Sequence, residues 1–235
     1  MHGNLPAFQA VLADIRSTGV DQIWNLGDLV GYGAQPDECV ALAKEFSDLC
    51  LIGNHDLVVI DRLSLEDFSA NAATAALWTR EHINEETRAF LTPLEPKDES
   101  HDMALYHASP RDPIWEYVLS VGMADSCIDA MPGRLAAVGH SHVALWFWRT
   151  DGGRTVGEQA GHGLEVDLSK GEWLINPGGV GQPRDGDSRA AWVLLDLERE
   201  TAMWRRVEYP IDDAAKAIEQ AGLPRSLADR LYFGQ

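Results

Sequence analysis

Short apolar runs alternate with amphipathic stretches through the first half of the chain, and several of those runs end on a residue able to bind a metal. Asn4 is placed to cap a helix over Leu5–Thr18, whose Phe8, Val11, Leu12 and Ile15 share one face. Gly19 ends that helix, and Gln22–Leu26 reads as a buried strand running into Gly27-Asp28. Pro36 suits the first turn of a helix reaching Phe46, and Leu49–Ile52 reads as a strand ending at Gly53-Asn54-His55-Asp56. Helices are expected over Leu65–His82 and Glu85–Leu91, the second capped by Asn84. A strand over Met103–Tyr106 then runs into His107, a helix covers Met123–Met131, and a strand over Leu135–Val138 runs into Gly139-His140-Ser141-His142. This alternation predicts an α/β layer with parallel strands.

After His142 the texture changes. Val143–Arg149, Thr155–Gln159, Leu164–Leu168, Trp173–Ile175, Ala190–Leu197 and Ala202–Tyr209 are short strand candidates separated by Gly and Asp turns, which suggests antiparallel meanders. Helices over Asp212–Gln220 and Ser226–Leu231 close the chain. No linker interrupts it, so one domain over residues 1–235 is expected. At 45 % hydrophobic and 24 % charged residues, the composition excludes a disordered, collagenous or coiled-coil chain. The net charge of −18 argues against a nucleic-acid polymer or an anionic membrane as partner, since either would be repelled. Three cysteines at unrelated spacings, Cys39, Cys50 and Cys127, form no zinc or disulfide pattern and read as buried free thiols. No apolar run long enough to span a membrane and no signal pattern occur, and a cytoplasmic location is expected.

In open α/β sheets, ligands bind past the carboxyl ends of the strands. That crevice would gather Asp28, Asn54, His55, His107, His140 and His142, and a preceding strand would bring His2 to the same edge. Each piece alone has a plain reading. Gly53-Asn54-His55-Asp56 could be a simple turn, and residues alternating along an extended segment, as His140 and His142 do, normally face opposite ways. Together they form a set of imidazoles, a carboxylate and an amide without a thiolate, which suits Mn, Fe, Zn or Ni more than Ca or Mg. One carboxylate bridging two ions roughly 3.5–4 Å apart is an arrangement that activates a hydroxide for in-line attack on phosphorus.

The order His2, Gly27-Asp28, Gly53-Asn54-His55-Asp56, His107, Gly139-His140-Ser141-His142 resembles that of the calcineurin-like metallophosphoesterase superfamily. The segment from Asn176 to Arg184 further resembles a loop of its small bacterial phosphodiesterase branch. The resemblance implies a four-layer α/β/β/α sandwich of two mixed sheets flanked by helices. It implies a first divalent metal, with manganese favoured, on His2, Asp28 and His142, and a second on Asp28, Asn54, His107 and His140. His55 would be the general acid protonating the leaving alkoxide, Asp56 would orient its ring, and Asn54 would contact substrate. From the sequence itself, Arg184 is a candidate for binding the substrate phosphate, with a structural salt bridge as its alternative. Arg111 is a second candidate for the phosphate.

The family's opening motif also carries an Asp two residues before this His, on a central strand, and neither stands in this sequence. The expectation is a reading frame begun at an internal Met, a weakly held first metal, and a sheet without its first central strand. The implied activity is hydrolysis of small phosphodiesters, with monoesters as a further class. Protein phosphatase or dinucleoside-polyphosphate hydrolase is an alternative, disfavoured because Gly27-Asp-Leu-Val-Gly-Tyr-Gly33 and Asp56 depart from those relatives' motifs. A non-catalytic scaffold with a decayed metal site is the third reading. Motifs leave oligomeric state open.

Overall fold

A computed structural model describes residues 1–150 and 152–235. Helix α1 (Leu5–Thr18) opens with the Asn4 side chain accepting from the Ala7 N–H at 3.2 Å, the cap read from the sequence. Strand β1 (Trp24–Asn25) is followed by α2 (Pro36–Phe46), β2 (Leu49–Cys50), α3 (Asn54–Val59), α4 (Ala70–His82) and α5 (Glu85–Leu91). Then come β3 (Lys97–Asp98), β4 (Ala104–Tyr106), α6 (Val121–Ile128), β5 (Leu135–Val138), β6 (Ala144–Arg149) and β7 (Val156–Gln159). The chain finishes with β8 (Glu165–Asp167), β9 (Glu172–Pro177), β10 (Ala190–Asp196), β11 (Thr201–Val207), α7 (Ile211–Gln220) and α8 (Arg225–Asp229). A long helix over Leu65–His82 is not found: it starts at Ala70, where the Ser69 hydroxyl caps it. Helix α3 begins inside the Gly53–Asp56 motif, where the sequence pattern shows only a strand end.

The largest sheet has the order β3-β4-β5-β9-β6-β7, parallel across β4, β5 and β9 and antiparallel elsewhere. Period-two alternation buries both of its faces. Leu135 and Ala137 of β5 face a core shared with Ala202 and Trp204 of β11, while Ala136 and Val138 pack with Ala124, Cys127 and Ile128 of α6. Trp146 and Trp148 join the first core and Phe147 the second, so this strand is interior on both sides. The sheet β10-β11-β8 is antiparallel, and Ala190 and Trp192 on its far face pack under α1, α7 and α8. The layers therefore run helix, sheet, sheet, helix, as the resemblance implies.

Strands β1 and β2 pair in parallel as a separate two-stranded sheet. Among the described residues β1 and β10 are edge strands, and between them lies a cavity of about 700 Å³ lined by Phe8, Ile15, Leu105, Ile175, Trp192 and Leu194 among others. This is the physical form of a sheet without its first central strand. It also explains why β1 spans two residues rather than the expected Gln22–Leu26: a strand paired on one side only is held by half the ladder.

Candidate metal centre

The site forms where β1, β2, β4 and β5 end. Tyr106 stands opposite Val138 in parallel register, so His107 and Gly139 leave the sheet side by side, and the Gly139 N–H donates to the His107 carbonyl at 2.9 Å. The His2 N–H donates to the Asp28 carbonyl at 2.8 Å, and Gly33 N–H to the His2 carbonyl at 2.8 Å, which knits the N-terminal segment onto the Asp28 loop. Gly53 must be glycine, because a Cβ there would collide with the Asp28 carboxylate. The Asp28 Oδ1 instead accepts from the His55 N–H at 3.0 Å.

Four of these residues, His2, Asp28, His140 and His142, and neighbouring Tyr32 adopt the left-handed backbone conformation, with φ between 54° and 59°. That conformation costs a non-glycine residue free energy and persists only where the surroundings enforce it. It also resolves the difficulty with His140 and His142. Since neither is extended, both rings turn toward Asp28 rather than to opposite faces.

The imidazoles are oriented by backbone carbonyls. A carbonyl only accepts, so Nδ1 carries the proton where His2 meets Val30 O (3.1 Å), His107 meets Leu26 O (2.7 Å) and His142 meets Gln182 O (2.7 Å). Each Nε2 is then an unprotonated lone pair, and all three point inward. His2 Nε2 lies 2.9 Å from His142 Nε2 and 3.3 Å from Asp28 Oδ2. His107 Nε2 lies 3.6 Å from the same Oδ2 and 3.3 Å from Asn54 Oδ1. The His140 Nε2 is buried with no hydrogen-bond partner. Acceptors converging on acceptors repel unless positive charge sits between them. Two clusters result, His2-Asp28-His142 and Asp28-His107-His140, in each of which the donor atoms lie within 4.8 Å of one another. Asp28 belongs to both.

Burial keeps His2, His55, His140 and His142 neutral, the form in which an imidazole can ligate. It pushes His55 down to about 4 and His140 to about 3, and holds His2 and His142 well below the usual imidazole range. Burial alone would raise the Asp28 carboxyl, but the surrounding His107, His55 and His140 hold it below its ordinary value.

His55 stands outside both clusters. Its ring packs against His2, Tyr32 and Phe68 at centroid distances of 4.8, 4.4 and 4.8 Å, and the absence of a side chain at Gly31 admits it. Its Nδ1 is buried without a partner. Asp56 does not orient this ring, contrary to expectation. Its two oxygens accept from the Val30 and Gly53 N–H groups at 3.0 Å each, so Asp56 ties the Asp28 loop to the start of α3. Burial and the nearby Asp28 charge raise its carboxyl to about 6.

Arg184 reaches the site from the loop after β9. Its N–H donates to the His142 carbonyl at 3.1 Å, and its guanidinium donates to Tyr32 Oη at 3.1 Å and Gln182 Oε1 at 2.9 Å. No carboxylate pairs with it among the described residues. Arg111 does not join the site; it forms an exposed ion pair with Glu116 at 3.3 Å. Asn176, buried at the end of β9, donates to the Gly139 carbonyl and the Ser141 hydroxyl and so fixes the His140–His142 loop. The sequence places Tyr32, Gln182 and Asn176 within recognisable segments but gives none of them a role, because aromatic and amide residues in loops carry no periodicity that marks their contacts.

The model of the calcineurin-like phosphoesterase superfamily domain matches residues 1–200. The chain belongs to that superfamily. It is 38 % identical over 240 residues to the uncharacterized protein MJ0912 of Methanocaldococcus jannaschii, covering 100 % of this chain and 96 % of that one. The crystal structure of a metallophosphoesterase from Sphaerobacter thermophilus superposes with a TM-score of 0.90 at 39 % identity, covering 100 % of this chain and 96 % of that one. Hypothetical protein PH1004 from Pyrococcus horikoshii shares the fold, with a TM-score of 0.77 at 19 % identity and coverage of 100 % and 95 %. Superfamily membership and the two His/Asp clusters together make the chain a metal-binding phosphoesterase by kind. Among the described residues, no helix is long and apolar enough to cross a membrane.

Proposed function

We propose that this calcineurin-like phosphoesterase hydrolyses small phosphodiesters, and monoesters as a further class, with two divalent cations at the shared-carboxylate site. The observation that carries the reading is the position of Asp28, whose carboxylate stands between two histidine clusters with their lone pairs turned inward. His2, Asp28 and His142 would hold the first cation, and Asp28, Asn54, His107 and His140 the second. When bound, such a pair neutralises phosphoryl oxygens and lowers the pKa of an attacking water. Manganese is the proposed occupant, with iron, zinc or nickel as alternatives, because a mixed imidazole, carboxylate and amide set suits these ions.

The chain's own residues then divide the work. Arg184, with no carboxylate partner among the described residues, presents donors to the phosphate. His55, outside both clusters and 4.8 Å from the His2 ring, would give a proton to the leaving oxygen once the negative charge of bound phosphate offsets the burial that otherwise keeps the ring neutral. Asn54, at the start of α3, contributes its amide beside the same phosphate. Tyr32 holds Arg184 through its hydroxyl and closes one wall of the pocket against His55. An overall charge of −18 keeps polymeric nucleic acid away, so the proposed partner is a small phosphate ester.

The test is turnover of a chromogenic bis-aryl phosphate with and without Mn²⁺, in wild type and His55→Ala. Metal-dependent hydrolysis that falls about 10²- to 10⁴-fold in the variant, at unchanged metal content, supports the reading. A metal-loaded wild type that hydrolyses neither diester nor monoester would leave a binding scaffold as the function.

A further inference from the structure

Four aromatic side chains, Tyr32, Phe68, Trp115 and Tyr117, stand against the histidines of the site, and core packing does not account for all of them. Tyr32 lies against His55, and Phe68 packs on His55 and meets Trp115 edge-on at 5.7 Å. Trp115 approaches the His140 ring at 6.4 Å, and Tyr117 lies over that ring at 4.1 Å, tilted by 34°. Yet Tyr117 is 41 % exposed, and Phe68 and Trp115 are half-buried. An aromatic ring left this open, directly above an imidazole that the Asp28 cluster needs, is apolar surface the fold has no structural reason to leave wet.

The segment that carries Trp115 and Tyr117 is pinned. The Ser109 hydroxyl accepts from the Arg111 and Asp112 N–H groups and donates to Glu116 Oε2 at 2.6 Å. The Asp112 carboxylate accepts from the Ile114 and Trp115 N–H groups at 3.0 and 3.1 Å. The backbone that carries the rings is therefore ordered before any ligand arrives, so stacking on them costs little backbone ordering. Across the pocket, Arg184 lies 5.7 Å above the Tyr32 ring. Arg230 stands near Arg184, Tyr32 and Tyr117 and adds a second cation on this side. Cations at one end and open aromatic faces at the other define a ligand with an anionic head and a flat apolar body.

We infer that this site selects phosphoesters bearing a planar aromatic ring, a nucleobase or an aryl group, which stacks on Tyr117 and Trp115 while the phosphate sits at the Asp28 clusters. The inference rests on the phosphoesterase reading and deepens it by naming the substrate class. An alkyl phosphoester of the same charge would reach the clusters but find no partner for its body.

Non-hydrolysable ligands test this without interference from leaving-group acidity. Binding of phenylphosphonate and cyclohexylphosphonate to the Mn²⁺-loaded protein would be measured by calorimetry, in wild type, Tyr117→Ala, Tyr117→Phe and Trp115→Ala. Wild type is expected to bind the phenyl compound about 10-fold more tightly, the size of one stacking contact. That ratio should fall toward one in Tyr117→Ala and Trp115→Ala and persist in Tyr117→Phe, which keeps the ring. The phosphonate analogue of adenosine 5′-monophosphate against that of ribose 5-phosphate forms a second, equally non-hydrolysable pair. Preference in both pairs assigns the ring to a nucleobase, and preference in the phenyl pair alone assigns it to a small aryl group. Ratios near one in wild type, or ratios unchanged in both alanine variants, overturn the inference while leaving the phosphoesterase intact. If neither phosphonate binds the loaded protein, the phosphoesterase reading falls with it.

Discussion

Asp28 illustrates how much a single side chain must do at this site. It accepts the His55 N–H with one oxygen and presents the other to His2 and His107 from a left-handed backbone. Asp28→Asn keeps the shape and removes the charge, so bound metal measured by elemental analysis should drop and phosphodiester turnover should fall at least about 10³-fold. A variant that retains two metals per chain would refute the shared role. The cysteines give a prediction of a different kind. Burial raises the thiols of Cys39 and Cys127 to about 12 and that of Cys50 to about 11, against about 8.5 for a free thiol. At pH 8 the native protein should therefore react with a thiol reagent far more slowly than the denatured chain, which exposes all three. Because their folded pKa values lie above the unfolded ones, these groups contribute stability below about pH 8.5 and lose it as pH rises toward 11–12. Chemical denaturation at pH 7 and pH 10 would show the decline. The donor residues were legible one by one, because metal-binding side chains are few and recognisable. The role of Asp56 was not, since both its contacts are backbone N–H groups supplied by other loops.

At the level of elements, helices with local signals were the most legible. Helices α1, α2 and α5 occupy the expected Leu5–Thr18, Pro36–Phe46 and Glu85–Leu91, because caps at Asn4 and Asn84 and the first-turn Pro36 act within a few residues of chain. Strand lengths were less so: β9 extends to Glu172–Pro177 because β5 and β6 flank it, a pairing decided far away in sequence. The loop after β9 owes its shape to a similarly distant contact. Arg206 of β11 and Asp185 form an ion pair whose side chains are 3 % and 0 % exposed, and Asp185 also accepts from the Ala144 N–H at 3.0 Å. Removing one partner of such a pair strands a buried charge, so Arg206→Met should cost about 3–5 kcal/mol in denaturant unfolding. The same loop supplies Gln182 O to His142 and carries Arg184, so metal affinity should weaken alongside stability. A variant as stable as wild type would show that the loop is held some other way.

Over the whole molecule, the weakest region of the core is the cavity between β1 and β10. Strands β5 and β9 are paired on both sides, whereas β1 and β10 are each paired on one. Hydrogen exchange should therefore be faster at Trp24–Asn25 and Ala190–Asp196 than at Leu135–Val138, and equal protection would contradict this account. Metal binding should stabilise the molecule as a unit, because the ligands come from residues 2 to 142 and an unfolded chain cannot gather them. At a free Mn²⁺ concentration 100 times its dissociation constant the gain is about 2.7 kcal/mol, or roughly 5–10 °C in melting temperature for a chain of this size, reversed by chelator. The sequence alone settled which side chains are present, which local segments are helical, and that apolar runs end on metal-binding residues, since all of these are written in composition and short-range order. Only tertiary structure decided that His140 and His142 face the same way, that backbone carbonyls of Val30, Leu26 and Gln182 turn three imidazoles inward, and that Tyr117 stands over His140. Those facts depend on backbone conformations and pairings enforced by residues up to 81 positions distant in the chain, as between His107 and Leu26, and no local pattern encodes them.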